Sequence, residues 1–96
     1  MSKESKEIWA ALNATWMLEP SDLVLLQVAL EAYDRYREAW EAIQEEGLVV
    51  TDPSGRQRAN PLLQVEKEAR LAFFRAWKQL GFNEEPPGPL GRPPGR

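Results

Sequence analysis

Apolar side chains recur at helical spacing along three stretches of this chain, and turn-forming residues separate the stretches. The first stretch covers residues 4–18, where Ile8, Leu12 and Trp16 fall on one face of a predicted helix. Pro20 is expected to end that helix, because a proline biases the residue before it towards an extended conformation.

A longer helix is predicted for residues 21–46, with Ser21 as N-cap and Gly47 as the residue that stops it. At the rise of an α-helix it would be about 39 Å long, which is more than a compact monomer of this size needs. Its apolar positions form two adjacent stripes, which together are wider than one neighbouring helix would cover. The stripes are Leu26, Leu30, Tyr33 and Trp40, and beside them Leu25, Val28, Ala32, Tyr36, Ala39 and Ile43.

A β-hairpin is predicted for residues 48–59. Leu48–Val50 are strand formers, and the segment 52–55 (Asp-Pro-Ser-Gly) fits a type I turn position by position. Arg56–Arg58 would form the return strand. Two strands alone are marginal in water, so the hairpin should rest on the helices or on another subunit.

The third helix is predicted to begin with Asn60 as N-cap and Pro61 at its first position, and to close at Gly81. Leu62, Val65, Ala69, Ala72/Phe73, Ala76 and Leu80 form its expected buried stripe, with Leu63, Phe74 and Trp77 beside it. The predicted fold is therefore mainly α: a short N-terminal helix, then a long antiparallel helical hairpin with a small β-hairpin between its two helices.

Composition divides the 96 residues into three parts. Residues 1–20 form an N-terminal helical arm, 21–85 the helical core, and 86–96 a Pro/Gly-rich tail expected to be disordered. A core of this size has a high ratio of surface to interior, and oligomerisation is a common remedy. Cysteine and histidine are absent, which argues against a thiolate or histidine metal site and against the commonest general base. No catalytic residue, metal or cofactor is predicted, no membrane span is expected, and the host cell cytoplasm is the expected location.

Charge is distributed unevenly along the chain, although its sum is only −3. Residues 21–46 carry seven acidic and two basic side chains, whereas residues 47–81 carry three acidic and six basic ones. The two halves could attract each other, or the basic half could meet a polyanion. Both interpretations remain open at this point.

Two basic groups are candidates for phosphate contacts. Arg56 and Arg58 are two residues apart, so they share one face of a strand and could grip phosphates, or they could simply keep an edge strand soluble. Lys67, Arg70 and Lys78 form one polar ridge on the third helix, which could bind DNA or pair with the acids of the second helix.

The order of these features resembles the small terminase subunit of tailed bacteriophages over residues 21–82. The resemblance rests on Tyr33-x-x-Tyr36, Glu46-Gly47-Leu48, the Asp52–Gly55 turn, Asn60-Pro61-Leu62 and Leu80-Gly81-Phe82. It implies a non-enzymatic factor that forms a homo-oligomeric ring, binds double-stranded viral DNA at the packaging site, and recruits the terminase large subunit, which holds the ATPase and nuclease.

In that family the helical hairpin is the oligomerisation core, which would account for the second apolar stripe. The residues expected at the oligomer interface are Leu26, Leu30, Tyr33, Tyr36, Trp40, Phe73 and Trp77. An alternative is a helical adaptor or phage head-assembly protein without nucleic-acid binding. The negative net charge favours it, and so does the single helix before the hairpin, since a helix-turn-helix needs two.

Overall fold

The computed structural model describes residues 1–82, which form three α-helices and one antiparallel β-hairpin. The elements are α1 (Lys3–Thr15), α2 (Pro20–Glu46), β1 (Val49–Thr51), β2 (Gln57–Ala59) and α3 (Leu62–Leu80). The predicted mainly α fold is confirmed, with the β-hairpin between the two long helices. The tail predicted for 86–96 lies outside the described residues.

Helix α1 is shorter than predicted at its C-terminal end. The Ser2 hydroxyl caps its start by accepting a hydrogen bond from the Ser5 N–H at 3.0 Å. At the other end Trp16 is already extended (φ −115°, ψ 149°), so the helix stops at Thr15 and not at residue 18. Trp16 is thereby turned away from the helix, towards Phe82.

Helix α2 begins one residue before its predicted start, and Ser21 is not its cap. Glu19 occupies the N-cap position, and its N–H donates to the Asp22 carboxylate at 3.0 Å. Pro20 is the first helical residue, where a missing N–H costs nothing because that group has no helical partner. The proline that was expected to end α1 instead starts α2.

Helices α2 and α3 form the antiparallel hairpin that makes up most of the fold. Small side chains line the contact, so the two helices can approach closely: Ala29, Ala32 and Ala39 from α2, and Ala69 and Ala76 from α3, are all buried. Ile43 extends this core towards the β-hairpin. Helix α3 ends as predicted at Gly81, which has a left-handed φ of 79°. A residue with a side chain would be strained in this conformation.

Helix α1 packs against the first half of α2 and buries Leu26 and Leu30 completely. An aromatic cluster then joins the three helices. Tyr33 of α2 lies 5.4 Å from Phe73 of α3, and Phe82 lies between Trp77 (5.1 Å) and Trp16 (4.9 Å). These centroid distances are typical of favourable aromatic pairs, so the cluster ties α1 to the end of α3.

The β-hairpin projects from the end of the helical hairpin where α2 ends and α3 begins, opposite the end that α1 covers. Val50 pairs with Arg58, flanked by Val49 with Ala59 and Thr51 with Gln57. The first strand is shifted by one residue from the predicted Leu48–Val50, and Arg56 belongs to the turn and not to the return strand.

Asn60 fixes the β-hairpin to the helices. Its side chain is 2% exposed, and its amide nitrogen donates to the Gly47 carbonyl at 2.9 Å and to Glu46 at 3.3 Å. Its amide oxygen accepts from the Leu62 N–H at 2.9 Å, although the N-cap of α3 is Pro61 and not Asn60 as predicted. Pro61 has helical dihedral angles but precedes the first residue of α3. One buried amide therefore links the end of α2, the return strand and the start of α3.

Candidate functional site

The turn of the β-hairpin is held in one conformation by Asp52. One carboxylate oxygen accepts from the Ser54 hydroxyl at 2.6 Å, from the Ser54 N–H at 3.0 Å and from the Arg56 N–H at 3.0 Å. The Ser54 hydroxyl and then the Arg56 N–H stabilise the charged form, so the pKa of Asp52 lies below its ordinary value. Gly55 supplies the positive φ (87°) that this turn requires. The backbone of Arg56 is thus fixed before any ligand arrives.

Arg56 and Arg58 are both exposed on this hairpin, and with Asp52 and Gln57 they line one shallow surface recess. Within residues 1–82, neither guanidinium takes part in an ion pair. Both are therefore open to solvent and to an anionic ligand. A guanidinium offers planar, often bidentate hydrogen bonds, which suit a phosphate group.

The basic ridge predicted on α3 is not uniform in the structure. Arg70 is bound by Glu66 on the same helix, with the arginine Nε 2.8 Å from the carboxylate, and this hydrogen bond raises the pKa of Arg70. Lys67 and Lys78 are exposed. Of the three α3 residues predicted to bind DNA, Lys67 and Lys78 are therefore accessible to a partner, whereas Arg70 is paired within its own helix.

The residues predicted for the oligomer interface divide into two groups. Leu26 and Leu30 have no exposed surface and belong to the core of the protomer. Tyr33, Tyr36, Phe73 and Trp77 are half-buried and contact one another in the aromatic cluster. Trp40 is 41% exposed, with the Arg37 guanidinium 4.9 Å above its ring.

Several large apolar side chains that the sequence pattern placed in or beside the buried stripes are instead on the surface. Val28 is 51% and Phe74 52% exposed, and Val65 is also exposed. Leu71 and Val24, which the pattern did not single out, are 42% and 66% exposed. The two-helix contact is narrow because alanines form it, and it leaves these flanks uncovered.

A polar anchor that was not predicted from the sequence holds α1 in place. Asp34 accepts from the Ser2 N–H at 2.8 Å and from the hydroxyls of Ser2 and Ser5, the second of which is fully buried. Burial opposes ionisation of Asp34, but these hydrogen bonds outweigh it and hold its pKa below the ordinary value. The partners are about thirty residues apart in sequence, and no local motif marks such a pair.

A second anchor joins Glu4 of α1 to Tyr33 of α2. The tyrosine hydroxyl donates to the carboxylate at 2.7 Å. Burial of the phenol and this hydrogen bond to an anion raise the pKa of Tyr33 to about 12. Together with Asp34, this contact fixes the N-terminal half of α1 on α2.

The uneven charge is not neutralised between the two long helices. Both ion pairs within residues 1–82, Arg37–Glu41 and Arg70–Glu66, join residues four apart on one helix. No ion pair connects α2 to α3 in this part of the chain, so the interpretation that the helices attract each other through salt bridges has no support. Within residues 1–82, no helix combines the length and the apolar character that crossing a membrane would require.

The fold and its surfaces define a class: an α-helical hairpin with a short basic β-hairpin at one end and a docked N-terminal helix at the other. A family model described as phage terminase, small subunit, matches residues 2–85. The chain therefore belongs to the phage terminase small subunit family, as the resemblance implied. No curated protein and no solved structure matches it.

Proposed function

We propose that this protein is a viral DNA-packaging factor without catalytic activity of its own. It binds double-stranded phage DNA through its β-hairpin, assembles into a ring of identical copies, and delivers the DNA to the terminase large subunit in the cytoplasm of the host. The observation that carries the proposal, within a terminase small subunit, is the pair Arg56 and Arg58 on a preset, exposed β-hairpin.

The β-hairpin is suited to phosphate contacts because little has to be ordered when it binds. The backbone of Arg56 is fixed through Asp52, and Arg58 lies in a paired strand opposite Val50. The buried Asn60 in turn fixes the hairpin on the helices. A preorganised site loses less conformational entropy on binding than a flexible loop does.

Contacts of this kind recognise the DNA backbone and carry no base sequence information themselves. Two arginines on one copy would bind duplex DNA only weakly. In a ring, the same hairpin would be repeated once per copy, and the linked contacts would raise the overall affinity well above that of one copy. Assembly and DNA binding would thus support each other.

The proposal is tested by titrating the protein with duplex DNA at several salt concentrations. Binding is expected to weaken as salt rises, because each phosphate contact releases counterions and adds about 0.9 to the slope of log K against log salt. The double variant Arg56→Ala/Arg58→Ala should bind more weakly and show a shallower slope. The control is Arg75→Ala, which removes an exposed arginine far from the hairpin tip.

Two results would contradict this assignment. Wild-type binding that does not change with salt would rule out phosphate contacts, and equal slopes for the wild type and the double variant would remove the β-hairpin from the interface. Absence of DNA binding, both alone and with the large subunit, would favour a helical adaptor or head-assembly role, which the net charge of −3 also suits.

A further inference from the structure

One face of α3 carries an exposed stripe that combines lysines with apolar side chains. Lys67, Leu71, Phe74 and Lys78 follow the spacing i, i+4, i+7, i+11, which places them within about 60° of one another around the helix. Leu71 is 42% and Phe74 52% exposed, and both lysines are exposed. This α3 stripe points away from α2, since it lies opposite the buried Ala69 and Ala76.

Helix α2 carries a complementary edge on its own outer side. Val24 and Val28 are 66% and 51% exposed, and Glu31 and Glu38 follow within about 80° around the same helix. This α2 edge is exposed and borders the contact with α3, since the buried Ala32 and Ala39 lie only about 60–80° around the helix from Val24. Arg35 is also exposed and lies within this edge, which therefore carries one net negative charge. An apolar pair next to acids thus mirrors an apolar pair between lysines.

The opposite charges of these two surfaces are not used within the protomer. The ion pairs in the part of the chain that the structure describes involve neither lysine of the α3 stripe and neither glutamate of the α2 edge. The Glu31 carboxylate accepts only a neutral amide, that of Gln27 on the same helix. The α3 stripe points away from α2, so it cannot reach the α2 edge of its own protomer, and the two surfaces can meet only between two copies.

The apolar centre of the α3 stripe indicates a protein partner and not DNA. A duplex backbone offers phosphates to the lysines but nothing apolar to Leu71 and Phe74, which would stay in water or lose hydration without packing. A protein surface with an apolar pair and adjacent acids satisfies all four residues. The α2 edge of another copy has this composition.

We infer that the α3 stripe of one copy docks on the α2 edge of a second copy. This deepens the ring assembly of the proposed function and rests on it. Because the two surfaces differ, the contact is heterologous: each copy uses its α3 stripe towards one neighbour and its α2 edge towards the other. Such head-to-tail contacts generate a closed ring when the rotation between copies closes.

Charge reversal tests the contact, with native mass spectrometry of the full chain as the readout. The first variant, Lys67→Glu/Lys78→Glu, makes the α3 stripe acidic. The second, Glu31→Lys/Glu38→Lys, makes the α2 edge basic. Each is expected to be monomeric alone, because it then presents like charges to itself. Arg56→Glu/Arg58→Glu changes the charge by the same amount on the β-hairpin and is expected to assemble like the wild type.

Mixing the variants distinguishes this contact from the alternatives. Equal amounts of the two reversed variants should assemble again in alternation, because each surface then meets one of opposite charge. This recovery would also show that both variants are folded. The first variant added to the wild type should instead shorten the assemblies, because its reversed α3 stripe ends the row.

Three outcomes would overturn the inference. The first is a wild-type assembly that either reversal leaves unchanged, which would leave the proposed ring standing but move its contact elsewhere. The second is recovery of the first variant by the wild type, which would indicate that α3 meets α3. The third is a first variant that assembles normally and loses DNA binding, which would make the α3 stripe a DNA surface. A monomeric wild type would contradict the proposed ring itself.

Discussion

The two ends of the helical hairpin are stabilised in different ways. At the end that α1 covers, Leu26 and Leu30 are fully buried and an aromatic cluster joins three helices. At the end that carries the β-hairpin, Trp40 and Leu48 stay exposed, and the buried amide of Asn60 joins α2, the return strand and α3 by hydrogen bonds. Apolar burial dominates at the first end, where hydrogen bonds of Asp34 and Tyr33 only fasten α1, whereas hydrogen bonds of Asn60 dominate at the second.

This difference separates stability from recognition. The hydrophobic effect is not directional, so apolar burial at the covered end contributes mainly to the stability of the fold. The hydrogen bonds of the other end are directional and fix how Arg56 and Arg58 are presented. We therefore expect substitutions at the covered end to lower global stability most, and substitutions at the β-hairpin end to alter binding most.

The largest expected effect is that of Leu30→Ala at the covered end. Removing a fully buried leucine should lower the free energy of unfolding by about 2–5 kcal/mol, because apolar contacts are lost and a cavity remains. Chemical denaturation followed by circular dichroism measures it. Met17→Ala, at the same end but 92% exposed, is the control and should change stability by no more than about 0.5 kcal/mol.

The next effect is that of Asn60→Ala, at about 1–3 kcal/mol, because the Leu62 N–H and the Gly47 carbonyl lose their buried partner. Amide hydrogen exchange should show faster exchange through the β-hairpin and the start of α3, with the covered end unchanged. Asn13→Ala, which removes only an exposed hydrogen bond within α1, is the control. Uniform loss of protection along the chain would contradict the division into two ends.

A smaller effect, about 1 kcal/mol, is expected for Asp34→Ala, because the anchor of α1 is partly exposed and solvent screens its charge. The folded-state pKa of Asp34 is lowered, so its contribution is complete above the ordinary aspartate pKa of about 3.9 and is lost as pH falls through the lowered value. Stability measured against pH should therefore fall less steeply below about pH 4 in the variant than in the wild type.

Glu45→Ala is the matched control for Asp34→Ala, since it removes an exposed acid of α2 that makes no hydrogen bond or ion pair within residues 1–82. Its acid profile should follow that of the wild type. If both variants lost stability below about pH 4 as steeply as the wild type does, ionisation of Asp34 would not contribute to the docking of α1.

The smallest effect on stability is expected for Asp52→Ala, because Asp52 acts within an exposed turn. The denaturation midpoint should not change measurably. DNA binding should nevertheless weaken, since the Arg56 N–H loses its acceptor and the turn loses its fixed conformation. Ser21→Ala, at an exposed position that does not cap α2, should leave both stability and DNA binding unchanged. A drop in stability without a change in DNA binding would reverse the roles that we assign to the two ends.

Local sequence signals predicted the ends of α2 and α3 well, because these signals act within a few residues. Gly47 and Gly81 stop the two helices with positive φ angles of 92° and 79°. The Asn60 side chain accepts from the first turn of α3, but it lies one position before the N-cap, Pro61. The start of α2 was missed because Glu19 and Asp22 form the cap together, although Ser21 is the commoner type of capping residue.

Contacts between distant residues could not be predicted from one sequence. Ser2 and Asp34 are 32 positions apart, and nothing in either segment indicates that they pair. Phe74 likewise fits a buried stripe by spacing alone, yet it is exposed because the alanines of α2 and α3 make a narrow contact. The residues left uncovered by that contact are the ones from which we infer the neighbouring copy.

The central claim is that identical copies of this chain complete one another, and the mass of the particle in dilute solution tests it most directly. Light scattering coupled to size-exclusion chromatography of the wild-type chain should give a single, concentration-independent mass that is a whole multiple of 11.0 kDa. A stable, well-folded particle with the mass of one chain would contradict the account.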